Sequence, residues 1–233
     1  MENPVAPTPG RPRLTRQKVL DAALRLVDSD GADALTMRRL GQALDCDPMA
    51  LYRYAENRAA LLDGVAETVL AQLIIPADGT GWETRLRTAG HDFRHLALAH
   101  PNVVPLIVAR PLATPLGLRP VGTLRPLEQI LALLIGAGFA PEQALHAYRA
   151  YFGLLHGHVL NELQEVLVDP GATDTLLRLG LDRLPPDEFP HIRSLADALL
   201  AGYDGEAELD RGLDLLLDGL SAERPTAHHR GRG

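Results

Sequence analysis

The sequence predicts an all-α protein, with a three-helix head followed by a larger helical body. Three observations carry that expectation. Apolar residues recur at helical spacing through nearly every segment, and strand alternation is convincing nowhere. Helix-capping residues stand where helices should begin, at Thr15, Thr36 and Asn57. One Pro/Gly-rich interruption, PADGTG at 76–81, divides the pattern into a short part and a long part. With 233 residues, 46% of them hydrophobic, the chain can bury a sizeable core without disulfides.

Taken in order, residues 1–13 are rich in Pro and Gly and are expected to form a disordered tail. Thr15 caps a first helix, in which Val19, Ala22, Ala23, Leu26 and Val27 form one apolar stripe. Ser29-Asp30-Gly31 ends it, Gly31 supplying the left-handed residue a helix end often needs. Thr36 caps a second helix through Leu44. Asp45-Cys46-Asp47 makes the turn, and Pro48 opens a third helix of about two turns. Asn57 caps a fourth helix with an apolar face of Leu61, Leu62, Val65, Ala66, Val69 and Leu73. The expected division is 14–75 for the head and 76–222 for the body, with a second tail at 223–233. Body helices are expected near 82–99, 103–109, 121–137, 141–167, 187–201 and 206–221. Residues 169–186 read as a loop with one helical turn. Pro101, Pro111, Pro115 and Pro120 punctuate loops or kinks.

Composition narrows the class. A single cysteine, Cys46, rules out an intrachain disulfide and fits a cytoplasmic location. It reads as a small buried hydrophobe rather than a redox sensor. No apolar run approaches the roughly 18 residues of a membrane span, so no membrane partner is expected. The N-terminus lacks the apolar core of a signal peptide. The net charge of −7 is unevenly spread. Residues 1–58 hold nine Lys and Arg against eight Asp and Glu, leaving −8 on the remainder. An acidic body with a locally basic head suits a DNA reader that avoids indiscriminate binding. Arg11, Arg13, Arg16, Lys18, Arg38, Arg39, Arg53 and Arg58 are the candidates for its basic face.

The stretch from Thr36 to Arg58 places two short helices around a tight turn, with Tyr52, Arg53 and Tyr54 close together. An α-helix fits the major groove of B-DNA, where base edges are distinguishable, but a short helix must be braced by others. Leu40, Leu44, Leu51 and the stripe of the first helix supply that brace. Met49, Ala50, Tyr52 and Arg53 are then expected to face outward, and Thr36, at a helix N-terminus, can meet a phosphate. The pattern Thr36-x-Arg38-x-Leu40, then Leu51-Tyr52-x-Tyr54, then Asn57-Arg58 and Leu61-Leu62, resembles the TetR family of bacterial transcriptional repressors. The segments VLDAALRLVDSDG (19–31), LTMRRLGQAL (35–44) and MALYRYAENRAALLDGV (49–65) carry the resemblance in order and spacing. It implies a helix-turn-helix head that binds a double-stranded, palindromic DNA operator as a symmetric homodimer, and a body that binds a small-molecule inducer. By position it implies phosphate contacts from Thr36, Tyr52, Tyr54 and Arg58, with Arg38, Met49, Ala50 and Arg53 nearer the base edges. One departure is that the usual turn glycine is Asp45, which tolerates the left-handed conformation better than most residues.

In the body, Leu145, Tyr148, Phe152, Leu155 and Val159 share one face of the helix at 141–167, with Gly153 and Gly157 four apart. The last helix repeats Leu209, Leu213, Leu216, Leu217 and Leu220. The resemblance implies a four-helix dimer interface from these two helices, and a dimer also fixes the spacing of two short readers on successive half-sites. The alternative is that the stripes are internal core. The order Trp82, Phe93, Ala109-Arg110-Pro111, Gly138-Phe139, Gly157-His158-Val159-Leu160 is similar, more loosely, to the ligand-binding body of tetracycline repressors. Ala89 and Asn161 stand where those proteins have an Asn and a Glu, and their metal-anchoring His has no clear equal. No Mg-tetracycline ligand is therefore expected. Phe93, His100, Arg110 and Tyr151 are the candidate ligand-binding residues. Arg87 and Arg94 are further candidates to hold an anion. His91 and His95 lie four apart, but no Cys or acidic residue completes a metal set, so neither metal nor cofactor is expected.

The rival classes are a ligand-independent DNA-binding protein and a helical enzyme. An enzyme needs a nucleophile with a base, a metal site or a phosphate loop, and none is recognisable in the sequence. The expectation is a ligand-responsive repressor, not an enzyme.

Overall fold

The computed structural model describes residues 14–108, 121–166 and 178–223, and every regular element among them is helical. The expected tails at 1–13 and 223–233 (apart from Glu223, which ends the last helix), Arg110, and the prolines at 111, 115 and 120 lie outside the described residues, as do 169–177 of the expected loop.

The head is built from local rules that operate as the sequence predicts. α1 (Arg16–Asp30) starts on Thr15, whose side chain accepts the Lys18 N–H, and ends at Gly31. A 3₁₀ turn at Ala32–Ala34, absent from the sequence reading, leads into α2 (Met37–Ala43), capped by Thr36. α3 (Pro48–Leu51) has proline in its first turn and Asp47 as its cap, Oδ1 accepting the Met49 N–H at 2.8 Å. It is one α-turn rather than two. Residues 52–54 continue it as a turn in which the Tyr54 and Ala55 amides both bond the Leu51 carbonyl. α4 (Arg58–Leu70) is capped by Asn57.

These helices enclose one cluster of buried side chains, among them Val19, Ala23, Val27, Leu35, Leu40, Leu51, Leu61 and Val65. Burying a Val or Leu side chain is worth about 1.5–3 kcal/mol, so a cluster of this size offsets the marginal stability of helices only one or two turns long. The turn between α2 and α3 depends on two backbone positions. Asp45 takes φ 48°, the left-handed conformation expected of it. Gly41 faces the Cys46 carbonyl so closely that a Cβ there would lie 2.9 Å from its oxygen. Cys46 is partly buried against the same cluster.

The body comprises α5 (Trp82–Ala99), α6 (Val104–Val108), α7 (Val121–Gly136), α8 (Pro141–Val166), a short helix α9 (178–183), α10 (Pro190–Ser194), α11 (Ala196–Leu200) and α12 (Gly205–Glu223). The segment expected as one helix at 187–201 is broken at Leu195 into two single turns. A second buried cluster joins α5, α7, α8 and α12 through Trp82, Leu86, Phe93, Ile130, Leu134, Tyr151, Leu155, Leu209, Leu213 and Leu217. The leucine stripe of α12 thus lies inside the protomer, against α5 and α8, and not on a surface awaiting a second copy. Leu215, on the opposite side of α12, is 79% exposed. α4 runs between the two clusters, with Leu61, Val65 and Val69 in the first and Leu70 against the second.

Candidate nucleic-acid interface and ligand region

α2, α3 and the turn after α3 present one exposed face. Thr36, Arg38, Met49, Tyr52 and Arg53 are exposed on it, and Ala50 is half-buried. Met49 is 71% exposed, which no packing requirement explains. The side chains beneath it, Leu40 and Leu51, are fully buried, so the short reader is anchored from one side only. Among the described residues Arg38 and Arg53 have no ion-pair partner, whereas Arg39 is paired with Asp30 and Arg16 with Glu67. Of the expected basic face, Arg11 and Arg13 lie outside the described residues.

Two of the expected phosphate contacts are differently placed. The Tyr54 hydroxyl donates to the Leu14 carbonyl at 2.8 Å, and its ring packs on the head cluster. Arg58 turns back under the head. Its Nε donates to the Leu35 carbonyl at 2.8 Å, and its Nη2 to the Ala32 carbonyl at 2.7 Å and to Asp33 at 3.2 Å. A tyrosine has one hydrogen to donate, so the Tyr54 donor is committed inside the head. The reason for Arg58 lies in the 3₁₀ turn that the sequence reading missed. Its carbonyls at Ala32 and Leu35 point at the start of α4, and a guanidinium there satisfies both.

The candidate ligand residues do not converge. Phe93 is buried in the body, where it meets Phe152 edge-on at 5.9 Å between ring centres and His156 at 5.7 Å. Tyr148 lies 4.7 Å from Phe152, and Tyr151 meets Phe152 edge-on at 5.5 Å. Tyr148 and Phe152 were legible as part of one helical face, but neither they nor His156 as partners of Phe93. Burial holds the His156 imidazole below its ordinary pKa. Ile107 and Val108, the last described residues before 109–120, pack against the same core. Tyr151 lies beside this group but points into the core. Its hydroxyl donates to the Leu86 carbonyl at 2.7 Å, and burial raises its pKa. His100 sits elsewhere, at the corner after α5, where its Nδ1 meets the Asp28 carboxylate of α1 at 3.0 and 3.1 Å. Asn102 donates to the Asp28 carbonyl at 2.9 Å, so this corner fastens body to head.

The arginines suggested for an anion are paired internally. Arg87 meets Asp210 and Asp214, and Arg94 makes a bidentate pair with buried Glu162 at 2.8 and 2.5 Å. His91 bonds Asp210, which with Arg87 holds that carboxyl below the usual range. His95 is exposed and does not share this partner. His158 lies 3.4 Å from Glu162 without hydrogen-bond geometry, and desolvation outweighs that carboxylate in lowering its pKa. Among the described residues no three His, Cys, Asp or Glu side chains gather as a metal site. No described helix is long and apolar enough to cross a membrane.

Two family models match the chain. Residues 19–65 match that of the bacterial regulatory proteins, tetR family. Residues 75–224 match that of the tetracyclin repressor-like C-terminal domain. An HTH-type transcriptional regulator of Saccharopolyspora erythraea is 29% identical over 213 residues, covering 91% of this chain and 86% of that protein. The class D tetracycline repressor protein of Escherichia coli is 29% identical over 217 residues, covering 91% of each. Among solved structures, the Streptomyces coelicolor TetR family protein ActR in complex with actinorhodin superposes with a TM-score of 0.78. It is 26% identical, over 92% of this chain and all of that one.

Proposed function

The chain belongs to the TetR family of bacterial regulatory proteins, and from that premise we propose how its residues divide the work. It is a sequence-specific DNA-binding transcriptional regulator of the ligand-responsive repressor type, acting as a homodimer on an operator. Residues 14–75 are the reading head and 76–222 the ligand-binding and dimerising body. In the head, Arg38, Met49, Ala50 and Arg53 face the base edges, while Thr36 and Tyr52 meet the phosphates that fix the register. Tyr54 and Arg58 act from behind as braces. The observation that supports this division most is the contrast in exposure: Met49, Tyr52 and Arg53 are exposed directly above fully buried Leu51.

The inducer site is the aromatic group of Phe93, Tyr148, Phe152 and His156. The rings meet edge-on and tilted, the arrangements in which aromatic groups pack best, so the ligand class this reading implies is flat and largely apolar. The regulator works in the cytoplasm and has no catalytic role. Ligand in the body and DNA on the head oppose each other, and by linkage each weakens the other by the same factor.

The test is Arg53→Ala, assayed by gel shift on DNA flanking the chain's own gene. Loss of a base contact weakens binding by about 1–3 kcal/mol and relaxes specificity at one position. Unchanged affinity and unchanged specificity would remove Arg53 from the reading set.

A further inference from the structure

Glu67 stands on α4, one turn before its end, and nothing in the sequence singles it out. Its carboxylate touches two other helices at once. Oε1 accepts the backbone N–H of Gly122, the second described residue of α7, at 3.1 Å. Oε2 accepts from Nη2 of Arg16, the first residue of α1, at 3.2 Å. α7 belongs to the body core through Ile130 and Leu134, and α1 to the head core through Val19 and Ala23. One side chain therefore joins body to head across the helix that runs between them.

The two contacts differ in strength. The Gly122 contact is a backbone N–H donated to a carboxylate, a charge-assisted bond stronger than a neutral one. The Arg16 contact is an ion pair whose arginine is 57% exposed, and such pairs contribute little on their own. The α7 side is also the tighter sterically. A Cβ at Gly122 would overlap Cγ, Cδ and Oε1 of Glu67, so the first described turn of α7 rests directly on this side chain. A shift of that turn displaces the Glu67 side chain, which follows either with α4 or by turning about its own bonds, and in both cases alters the contact with Arg16.

We propose that Glu67 is the positioning residue that sets the angle of α4 from the position of α7, with Arg16 as its partner on the head. Glu67 touches neither DNA nor ligand. It decides how the two heads of the dimer are spaced. The inference rests on the regulator reading above, because head spacing matters only to a protein that reads two half-sites.

The experiment uses full-length protein and Gly122→Ala. Alanine favours a helix over glycine, so the helix itself is not weakened and any change reports the contact with Glu67. Nitroxides at Ser29→Cys in a Cys46→Ala background report the distance between heads, and a gel shift on DNA flanking the gene reports affinity. Gly122→Ala is expected to change the head-to-head distance and to weaken binding by about fivefold or more. In a Glu67→Ala background the overlapping atoms are gone, and the same substitution is expected to change neither. An equal effect in both backgrounds, or no effect with Glu67 present, would overturn the proposal. The distance needs no DNA. Wild-type protein that failed to shift any fragment would count against the regulator reading, and the distance comparison would still decide the role of Glu67.

Discussion

Arg58→Ala separates two roles for one arginine. As a brace, Arg58 holds the Ala32 and Leu35 carbonyls at 2.7 and 2.8 Å. A hydrogen bond from a charged group is worth about 1.5–3 kcal/mol. The side chain is 42% exposed, so water replaces part of each bond when it is removed. Its third partner, Asp33, is fully exposed and contributes almost nothing. Two such bonds sum to about 3–6 kcal/mol, and keeping roughly the unexposed share of that leaves about 2–3 kcal/mol. It should be concentrated on the loop between α1 and α2. The assay is native-state hydrogen exchange on the α2 amides, where opening becomes about 30- to 140-fold more frequent at 1.4 kcal/mol per tenfold. Lysine offers one compact charge in place of the fork, so Arg58→Lys should recover less than half of the loss. The salt dependence of operator binding should keep its slope. The opposite result, unchanged exchange with a slope shallower by about 0.9 per half-site, is the signature of a lost phosphate contact. It would refute the brace.

Three further outcomes follow from the same structure. Gly41→Ala places a Cβ 2.9 Å from the Cys46 carbonyl oxygen; overpacking of this kind costs about 1–3 kcal/mol, and denaturation of the head should show it together with weaker operator binding. Burial lowers the His156 pKa in the folded protein, so above about pH 6.5, the ordinary histidine value, both states are neutral and the residue adds no pH dependence. As the pH falls below that value the unfolded chain takes up a proton that the folded chain resists, and stability drops until the folded pKa is passed; His156→Phe should flatten the stability profile on the acid side of 6.5, as read by denaturant midpoints at a series of pH values. Gly153 and Gly157 of α8 have open space where a Cβ would stand; if they face the second copy, Gly153→Glu brings like charges together across the two-fold axis and sedimentation should find monomer, whereas an intact dimer would place the interface elsewhere.

How far the sequence could be read depended on how local the determining interactions are. Thr15, Thr36, Pro48 and Asn57 act within one turn of chain, and each begins a helix where capping chemistry says it should. Asp45 could be placed in the left-handed turn for the same reason. What the sequence left unseen concerns partners distant in sequence. Arg58 was legible as a cation beside the reader, but the carbonyls it satisfies belong to a 3₁₀ turn more than twenty residues earlier, which no apolar period announces. Glu67 was invisible because its two partners lie fifty-one and fifty-five residues away. His100 reads as a ligand candidate by type, and its contact with Asp28 of α1 lies seventy-two residues away in sequence.

The leucine stripe of α12 shows the limit most clearly. Period 3.6 says that a face is covered, but not by what. Leu209, Leu213 and Leu217 fit an internal core and a dimer seam equally well, and the docking of α5 and α8 decides for the core. With the stripe consumed inside the protomer, a homodimer must use what is left. Among the described residues that remainder includes exposed Leu179, Phe189, Ile192, Leu195 and Leu199 from α9 to α11 and, on α8 and α12, the open positions at Gly153, Gly157 and Gly219 with exposed Leu160 and Leu215. Small residues let helices approach until backbone and leucine tips fill the gap, so an interface can be extensive without a visible stripe. An interface built on α8 and α12 would be marked by absent side chains, which hydrophobic periodicity does not register.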